Sequence, residues 1–346
     1  MSVSSGRPFH GLRMLAVHAH PDDESSKGAA TTALYTSRGA RVMIATMTGG
    51  EAGSILNPAL LKSPAARRDI AGLRRHEMAA AAEVLGAEHR WVGFVDSGLP
   101  KGEPETETPH GSFYQVPTEV AARPLVHLIR SFRPHVLTTY DERGGYPHPD
   151  HIKTHIVSMA AVEQAAAAEV NPELGEAWQV QKVYYNMDLS PRKWLAIHEK
   201  MTAAGHESPF TDMLERYRER SEERQSWMTA RIACGEYMER SDRALLSHAT
   251  QIDPKGGFFS EARKIAKSFW PTEEFELAAD HTGREPLDRS RDFLETDLFA
   301  GITRDDGRRV PDEGLLAPYV EADEPAAGGA GEPAAAGLGS ADRENS

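Results

Sequence analysis

The chain has 346 residues, of which 40% are hydrophobic and 26% are charged, a composition typical of an ordinary folded protein. No run of apolar residues approaches the roughly 18 that a membrane-spanning helix needs, and the single cysteine, Cys234, cannot form an intramolecular disulfide. The 39 basic and 52 acidic side chains give a net charge of −13, which disfavours a phosphate backbone as the main partner. We therefore expect a cytoplasmic protein that acts on a small molecule and has neither nucleic acid nor a membrane as a partner. Self-association into a homo-oligomer is compatible with this interpretation.

The first half of the chain alternates between short apolar runs and longer segments with helical periodicity. The apolar runs predict strands at 12–17, 41–47, 89–95, 136–140 and 180–185, and the segments between them predict helices at 28–39, 65–85, 117–132 and 151–169. Strands separated by helices in this way imply right-handed crossovers. We therefore predict an α/β fold with a Rossmann-like, mostly parallel sheet flanked by helices.

The chain changes character after residue 190, where it becomes more charged and then less regular. We predict that residues 1–190 form the Rossmann-like catalytic region and that residues 191–318 form a smaller α+β cap over the sheet edge. Residues 319–346 contain six acids and one arginine in an Ala/Gly/Pro-rich sequence. Such a segment has too little apolar surface to offset the entropy of ordering, so we predict a disordered tail.

Two segments place histidine and carboxylate side chains directly after predicted strands. Residues 18–24 read HAHPDDE after the first strand, and residues 146–151 read YPHPDH after the fourth. The carboxyl ends of parallel strands form one edge, so the loops there should converge on one cleft. Imidazole and carboxylate ligands suit Zn²⁺ or Fe²⁺, and two His with one carboxylate leave a position open for water. A single His-Pro-Asp is more often a turn that caps a helix, so the prediction depends on the pair.

The combination of HPDDE and HPDH resembles the LmbE/PIG-L superfamily of zinc-dependent N-deacetylases. Further segments, namely TGGEAGSILNPA, GFVDSGLPKG and HATQIDPKG, are similar to the branch of amidases that act on mycothiol S-conjugates. The resemblance covers roughly residues 12–302 and departs from that branch in the 100–117 loop, in 170–230 and in the tail. It implies hydrolysis of a glucosamine–cysteine amide in detoxification, which gives a mercapturic-acid-type N-acetylcysteine conjugate and glucosaminyl-inositol.

The resemblance also implies roles for seven residues of the two motif-bearing segments. His20, Asp23 and His151 are the implied zinc ligands, although this ligand set also accepts Fe²⁺. Asp22 is the implied general base, since a carboxylate that does not bind the metal can take a proton from water and deliver it to the departing amine.

A second group of residues is implied to stabilise the developing oxyanion. His148 would be the positively charged group that faces it, with Tyr146 and Asp150 in support. We expect the Asp150 carboxylate to hydrogen-bond His148 and to keep its ring protonated.

Four further residues are candidates for substrate binding. The resemblance favours Lys27 and Arg74, and Arg74 also stands one helical turn from Glu77, as in an ordinary surface ion pair. Asp96 follows the third strand and could accept hydrogen bonds from sugar hydroxyls, although a turn aspartate would look the same. His248 could approach the cleft from the cap.

Several other interpretations can be compared with this one. A nicotinamide oxidoreductase needs a glycine-rich turn after the first strand, where this chain has carboxylates that would repel phosphate. A non-catalytic sugar-binding module is disfavoured because Asp22 and His148 are both present. Within the hydrolases, the alternatives are a deacetylase of N-acetylglucosaminyl-inositol or a related N-acetyl sugar, and an amidase of antibiotic biosynthesis. His18, His155 and Cys234 are interpreted as packing or supporting residues.

Overall fold

The computed structural model describes residues 7–102, 107–187, 191–211, 214, 228–256, 259, 261–287 and 295–317, and the predicted tail lies outside them. The described residues form seven strands: β1 (Arg13–His18), β2 (Arg41–Thr48), β3 (Glu88–Phe94), β4 (Val136–Thr139), β5 (Lys182–Asn186), β6 (Ala230–Ala233) and β7 (Thr272–Asp280). They also form nine α-helices: α1 (Asp23–Ser26), α2 (Ala29–Ser37), α3 (Pro64–Arg68), α4 (Ile70–Leu85), α5 (Thr118–Phe132), α6 (Pro149–Ala166), α7 (Pro191–Ala203), α8 (Met238–Ser247) and α9 (Glu261–Phe269). None of these helices is both long enough and apolar enough to cross a membrane.

All seven strands belong to one sheet, in the order β3–β2–β1–β4–β5–β7–β6. Strands β1 to β5 run parallel to one another, whereas β7 is antiparallel to both β5 and β6. The predicted α/β fold with a mostly parallel sheet is confirmed. Strands β6 and β7 come from the region after residue 190, so that region extends the sheet itself, and the division of the chain at residue 190 stays a prediction.

Strand β1 is central and is buried on both faces. Met14 and Ala16 point to the face covered by α2 and α4, while Leu15 and Val17 pack with apolar side chains of α5 and α6 on the other face. A strand that is covered on both faces carries a continuous apolar run, which is why this one can be recognised in the sequence.

The single helix predicted over residues 65–85 is two helices in the structure. Asp69 interrupts it with φ −146° and ψ 69°, outside the helical region. Its side chain accepts a hydrogen bond of 2.8 Å from the backbone N–H of Gly72 and so begins α4. The apolar periodicity continues through residue 69, but the capping Asp69 ends one helix and begins the next.

The strand order explains why two distant motifs meet. The chain moves outward from β1 to β2 and β3, then returns to place β4 on the other side of β1. The loops that follow β1 and β4 therefore leave the sheet side by side, with helices on opposite faces, and a crevice opens between them. The HPDDE and HPDH motifs lie in these two loops.

Candidate metal centre and active site

The three predicted metal ligands converge at the carboxyl ends of β1 and β4. Asp23 Oδ2 lies 3.3 Å from His151 Nε2 and 3.5 Å from His20 Nδ1, and all three residues are buried. One potential ligand atom from each residue lies within 4.8 Å of the other two. Three donors at this separation can hold a single metal ion.

The hydrogen bonds around the cluster leave suitable atoms for a cation. His151 Nδ1 donates to the carbonyl oxygen of Gly144 at 2.9 Å, so its Nε2 carries a lone pair, and within the described residues this buried atom has no hydrogen-bond partner. Lys27 donates a hydrogen bond from Nζ to Asp23 Oδ1 at 2.7 Å. The other carboxylate oxygen, Oδ2, faces the rings of His20 and His151. The residues present therefore fit a divalent cation.

The electrostatics of the cluster also favour a positive charge. Burial opposes ionisation, yet hydrogen bonds to Asp150, Asp23 and Asp96 raise the pKa of His20 well above its ordinary value. Burial likewise opposes ionisation of Asp23, and the neighbouring His151 ring and Lys27 ammonium group hold its pKa well below the usual range. Carboxylates that stay ionised in a buried site attract a cation strongly.

Asp22 occupies the strained position of the loop. Its φ is 108°, in the left-handed region that non-glycine residues rarely adopt. Arg74 Nη2 contacts its Oδ2 at 3.0 Å, and the side chain remains 26% exposed. Burial raises the pKa of Asp22, although the charge of Arg74 opposes the shift. Asp22 is therefore a partly accessible carboxylate next to the predicted ligand Asp23, and it is not part of the cluster of potential ligands.

The predicted hydrogen bond between the side chains of Asp150 and His148 is not formed. His148 caps the start of α6, and its Nδ1 accepts the backbone N–H of Asp150 at 3.1 Å. The Asp150 carboxylate points inward instead, where Oδ2 accepts the backbone N–H of Ser97 at 2.9 Å and lies 3.3 Å from His20 Nε2.

The surroundings of His148 also oppose the predicted protonation of its ring. Burial, followed by the neighbouring His20 and His151, lowers the pKa of His148 to about 3. Because Nδ1 accepts a hydrogen bond, the proton of the neutral ring belongs on Nε2. His148 can therefore still donate a hydrogen bond, as a neutral imidazole.

Tyr146 is the most exposed residue of the predicted set. Its side chain lies edge-on to the ring of His151, with ring centres 4.5 Å apart, and 41% of the residue is exposed. Partial burial and the charge of Asp23 raise the pKa of its hydroxyl, which therefore stays protonated and able to donate.

Two of the substrate-binding candidates support the catalytic loop. Lys27 binds the ligand Asp23, as described above, and its Nζ lies 5.9 Å from the ring centre of Tyr140. Arg74 is only 3% exposed and joins the loops after β1 and β2, donating to the carbonyl oxygens of Pro21 at 2.5 Å and Gly50 at 2.7 Å. Substrate contact by Lys27 and Arg74 stays a prediction.

The other two candidates are also occupied by protein groups. The Asp96 carboxylate accepts hydrogen bonds from the backbone N–H of Ala52 at 3.1 Å and of Gly98 at 2.8 Å. Its contact with sugar hydroxyls stays a prediction. His248 is fully buried, with Nε2 at 2.7 Å from Glu24 Oε1. His248 directly follows α8, which packs against α2 and α4, and its contact with substrate stays a prediction.

Arg74 and Glu77 do not form the surface pair that their spacing allowed. Both are buried, and Glu77 accepts hydrogen bonds of 2.7 Å from the backbone N–H and from the hydroxyl of Thr250. Both side chains lie on the buried face of α4. Arg74 contacts the loops after β1 and β2, and Glu77 contacts the segment after α8.

Two residues that were not predicted as part of the site also contact it. Tyr140 stacks on the ring of His151 with centres 4.4 Å apart, and its hydroxyl accepts the backbone N–H of Ala19 at 3.0 Å. Its place immediately after β4 was the signal that could have identified it. Glu24 is the last residue of HPDDE and received no role. His155, interpreted as a supporting residue, bonds the carbonyl oxygen of Tyr140 at 3.0 Å.

Comparison with known proteins agrees with the fold and the motifs. The model of the GlcNAc-PI de-N-acetylase family, PIG-L, matches residues 15–162. The chain is 50% identical over 293 residues to the mycothiol S-conjugate amidase of Streptomyces coelicolor, a match that covers 84% of this chain and 97% of that protein. It is 38% identical over 297 residues to the 1D-myo-inositol 2-acetamido-2-deoxy-alpha-D-glucopyranoside deacetylase of Geodermatophilus obscurus, covering 84% of this chain and 98% of that protein.

A solved structure shares the architecture at much lower sequence identity. The N,N'-diacetylchitobiose deacetylase of Pyrococcus horikoshii matches with a TM-score of 0.52 and 16% identity, over 77% of this chain and 83% of that one, which shows a common fold. The two sequence relatives are matched over nearly their whole length at well above 30% identity. The chain therefore belongs to the PIG-L family, as its HPDDE and HPDH motifs predicted.

Proposed function

We propose that the protein is a metal-dependent amidase that hydrolyses the glucosamine–cysteine amide of mycothiol S-conjugates. The observation that carries the reaction class is the His20, Asp23 and His151 cluster beside the partly exposed carboxylate of Asp22. The substrate is supported by the 50% identity to a mycothiol S-conjugate amidase. The products would be an N-acetylcysteine conjugate and glucosaminyl-inositol, in keeping with a role in detoxification.

The proposed ion is Zn²⁺, held by His20 Nδ1, Asp23 Oδ2 and His151 Nε2, with Fe²⁺ as the alternative. When bound, such an ion polarises a carbonyl oxygen and lowers the pKa of water. Imidazole nitrogens and one carboxylate without a thiolate form a common catalytic zinc set. The cytoplasmic location and any self-association stay predictions.

Asp22 is the proposed general base and, later, the general acid. Its carboxylate would take the proton of the attacking water and pass it to the nitrogen of the glucosamine as the amide C–N bond breaks. Such proton transfer contributes about 10²–10⁴ in rate. Arg74, which contacts Oδ2 at 3.0 Å, would hold the carboxylate in its orientation.

His148 and Tyr146 are the proposed hydrogen-bond donors to the oxyanion that develops on the amide carbonyl. The neutral ring of His148 would donate through Nε2, and Tyr146 through its hydroxyl. Donors that are already oriented stabilise developing charge without reorganising during the reaction. The Nδ1 contact to the backbone of Asp150 supplies that orientation for His148.

A second candidate function is deacetylation of N-acetylglucosaminyl-inositol, favoured by the 38% identity to a deacetylase of that substrate. The test is to compare kcat/KM of the purified protein on a mycothiol thioether and on N-acetylglucosaminyl-inositol. We expect the thioether to be preferred at least about tenfold, a difference of about 1.4 kcal/mol in transition-state binding. A preference for the acetylated sugar would replace the amidase proposal by the deacetylase. Asp22→Asn should inactivate the protein toward both substrates, which shows that the activity belongs to this site.

A further inference from the structure

The strained peptide between Pro21 and Asp22 is held from two sides by buried charged side chains. On one side, Arg74 Nη2 donates to the Pro21 carbonyl oxygen at 2.5 Å. On the other side, Glu24 Oε2 accepts the backbone N–H of Asp22 at 2.9 Å. A residue at φ 108° keeps such a conformation only when its surroundings impose it. These two contacts are the ones that fix the peptide plane.

Glu24 is itself held by His248. Its second oxygen, Oε1, lies 2.7 Å from His248 Nε2 and accepts the hydroxyl of Ser25 at 2.5 Å. Glu24 is 2% exposed and His248 is fully buried. An ionised carboxylate at this depth is stable only with a charged or donating partner, and His248 provides it from 224 positions away in the chain.

The segment that carries His248 is fixed to the same helix that carries Arg74. Thr250 donates to Glu77 of α4 through its backbone N–H and its hydroxyl, each at 2.7 Å. Helix α8, which ends at His248, also packs against α1 and α4. Both supports of the Pro21–Asp22 peptide are therefore connected to helix α4.

We propose that Glu24 and His248 are positioning residues for Asp22. His248 orients the Glu24 carboxylate, Glu24 holds the backbone N–H of Asp22, and the strained backbone aims the Asp22 side chain into the cleft. Without the acceptor the peptide relaxes toward negative φ and the carboxylate turns away from the reacting atoms. The inference rests on the proposed function, because it takes Asp22 to be the base of that reaction.

The test measures kcat and KM separately in Glu24→Gln, His248→Leu and His248→Gln, with the substrate that the unsubstituted protein cleaves better. Glu24→Gln and His248→Leu should lower kcat about 10- to 100-fold, while KM changes less than about twofold and one metal per chain is retained. His248→Gln should restore most of the activity, because its amide N–H can donate to Glu24 Oε1.

A matched control is available in His135, another fully buried histidine. It lies beside Arg13 at the amino end of the sheet, where its Nδ1 accepts the Arg13 backbone N–H at 3.2 Å, and Asp305 lies 3.3 Å from its Nε2. His135→Leu should lower the melting temperature without changing kcat. Comparison of His135→Leu with His248→Leu therefore distinguishes the general effect of removing a buried histidine from the specific effect of losing the contact with Glu24.

A second measurement does not depend on the substrate. In the metal-free protein, Glu24→Gln combined with His248→Leu should lower the melting temperature no further than the more harmful single substitution, because both break one contact. Additive shifts would overturn the proposal, as would normal kcat in Glu24→Gln, metal loss that parallels the loss of kcat, or equal damage by His248→Gln and His248→Leu. If the unsubstituted protein cleaves neither substrate, the proposed function fails, whereas the melting temperatures still decide whether His248 acts through Glu24.

Discussion

Asp150 Oδ2 lies 3.3 Å from His20 Nε2. The backbone N–H of the same residue donates a hydrogen bond to Nδ1 of His148, two positions earlier in the chain. A carboxylate that accepts the outer N–H of a metal-binding histidine fixes its tautomer and orients its other nitrogen toward the ion. Asp150 therefore supports the predicted ligand His20, and the backbone of Asp150 orients the proposed oxyanion donor His148.

This relationship predicts a metal-binding defect in Asp150→Ala. Loss of the acceptor for His20 Nε2 should weaken zinc affinity about 10- to 100-fold, measured by competition with a chromogenic chelator. Asp305→Ala removes a carboxylate from another buried histidine, His135, and should leave the affinity unchanged. Normal zinc affinity in Asp150→Ala, together with a lower kcat, would instead favour a direct role of Asp150 on His148.

The strain at Asp22 predicts an unusual order of stabilities. Glycine adopts φ 108° without the steric cost that a Cβ imposes, so Asp22→Gly should exceed Asp22→Ala in free energy of unfolding by about 1–2 kcal/mol. Chemical denaturation of both variants without metal measures the difference. At Arg38, where φ is −95°, alanine should be at least as stable as glycine. Equal stabilities of the two Asp22 variants would show that the backbone there is not strained.

Metal removal should distinguish the predicted ligand His151 from a histidine that does not bind metal. A strong chelator is expected to abolish turnover and to lower the melting temperature, because an ion that binds only the folded protein stabilises it by mass action. Added Zn²⁺ should restore both properties in the unsubstituted protein and in His127→Ala, whose histidine lies on an exposed face of α5. His151→Ala should show no such recovery. A normal zinc-dependent rise in its melting temperature would exclude His151 as a ligand.

His135 predicts a loss of stability in mild acid. Burial, then the charge of Arg13, lowers its pKa from 6.5 to about 4, so the folded protein binds this proton less readily than the unfolded chain does. The contribution is fully present above pH 6.5 and is lost as the pH falls from 6.5 to about 4, by about 3 kcal/mol in total.

The free energy of unfolding of the metal-free protein between pH 4.5 and 7.5 measures this effect. His135→Asn keeps an acceptor for the Arg13 backbone N–H without a titrating ring, so its stability should fall less steeply with pH. The exposed His127→Asn should retain the full slope. A slope in His135→Asn equal to that of the unsubstituted protein would contradict the assignment.

The sequence predicted the first five strands and the three metal-ligand candidates because each has a strong local signal. Buried parallel strands appear as apolar runs, and the two histidine-carboxylate motifs directly follow β1 and β4, which the topology makes neighbours. Strand β7 was not predicted because its sequence, TEEFELAAD, contains three glutamates within its first five residues. Two of its glutamates are buried with partners: Glu273 accepts the N–H groups of Ala30 and Thr31 at the start of α2, and Glu274 accepts from Trp270.

The finer contacts of the site could not be predicted in the same way. Which ring the Asp150 carboxylate meets depends on how α6 begins, and the residue spacing alone allows either histidine. The contact between Glu24 and His248 joins residues 224 positions apart, with no motif that links them. Such pairs are determined by the packing of helices, which a single sequence does not display.

The antiparallel strand β7 has a consequence for any attempt to shorten the protein. It covers β5 along its length and in turn carries β6, so a fragment ending near residue 190 would expose the backbone N–H and C=O groups of β5. An uncovered strand of this kind readily recruits another chain and aggregates. The shortest fragment with a complete sheet must therefore extend through Asp280, although the three predicted metal ligands all lie before residue 152.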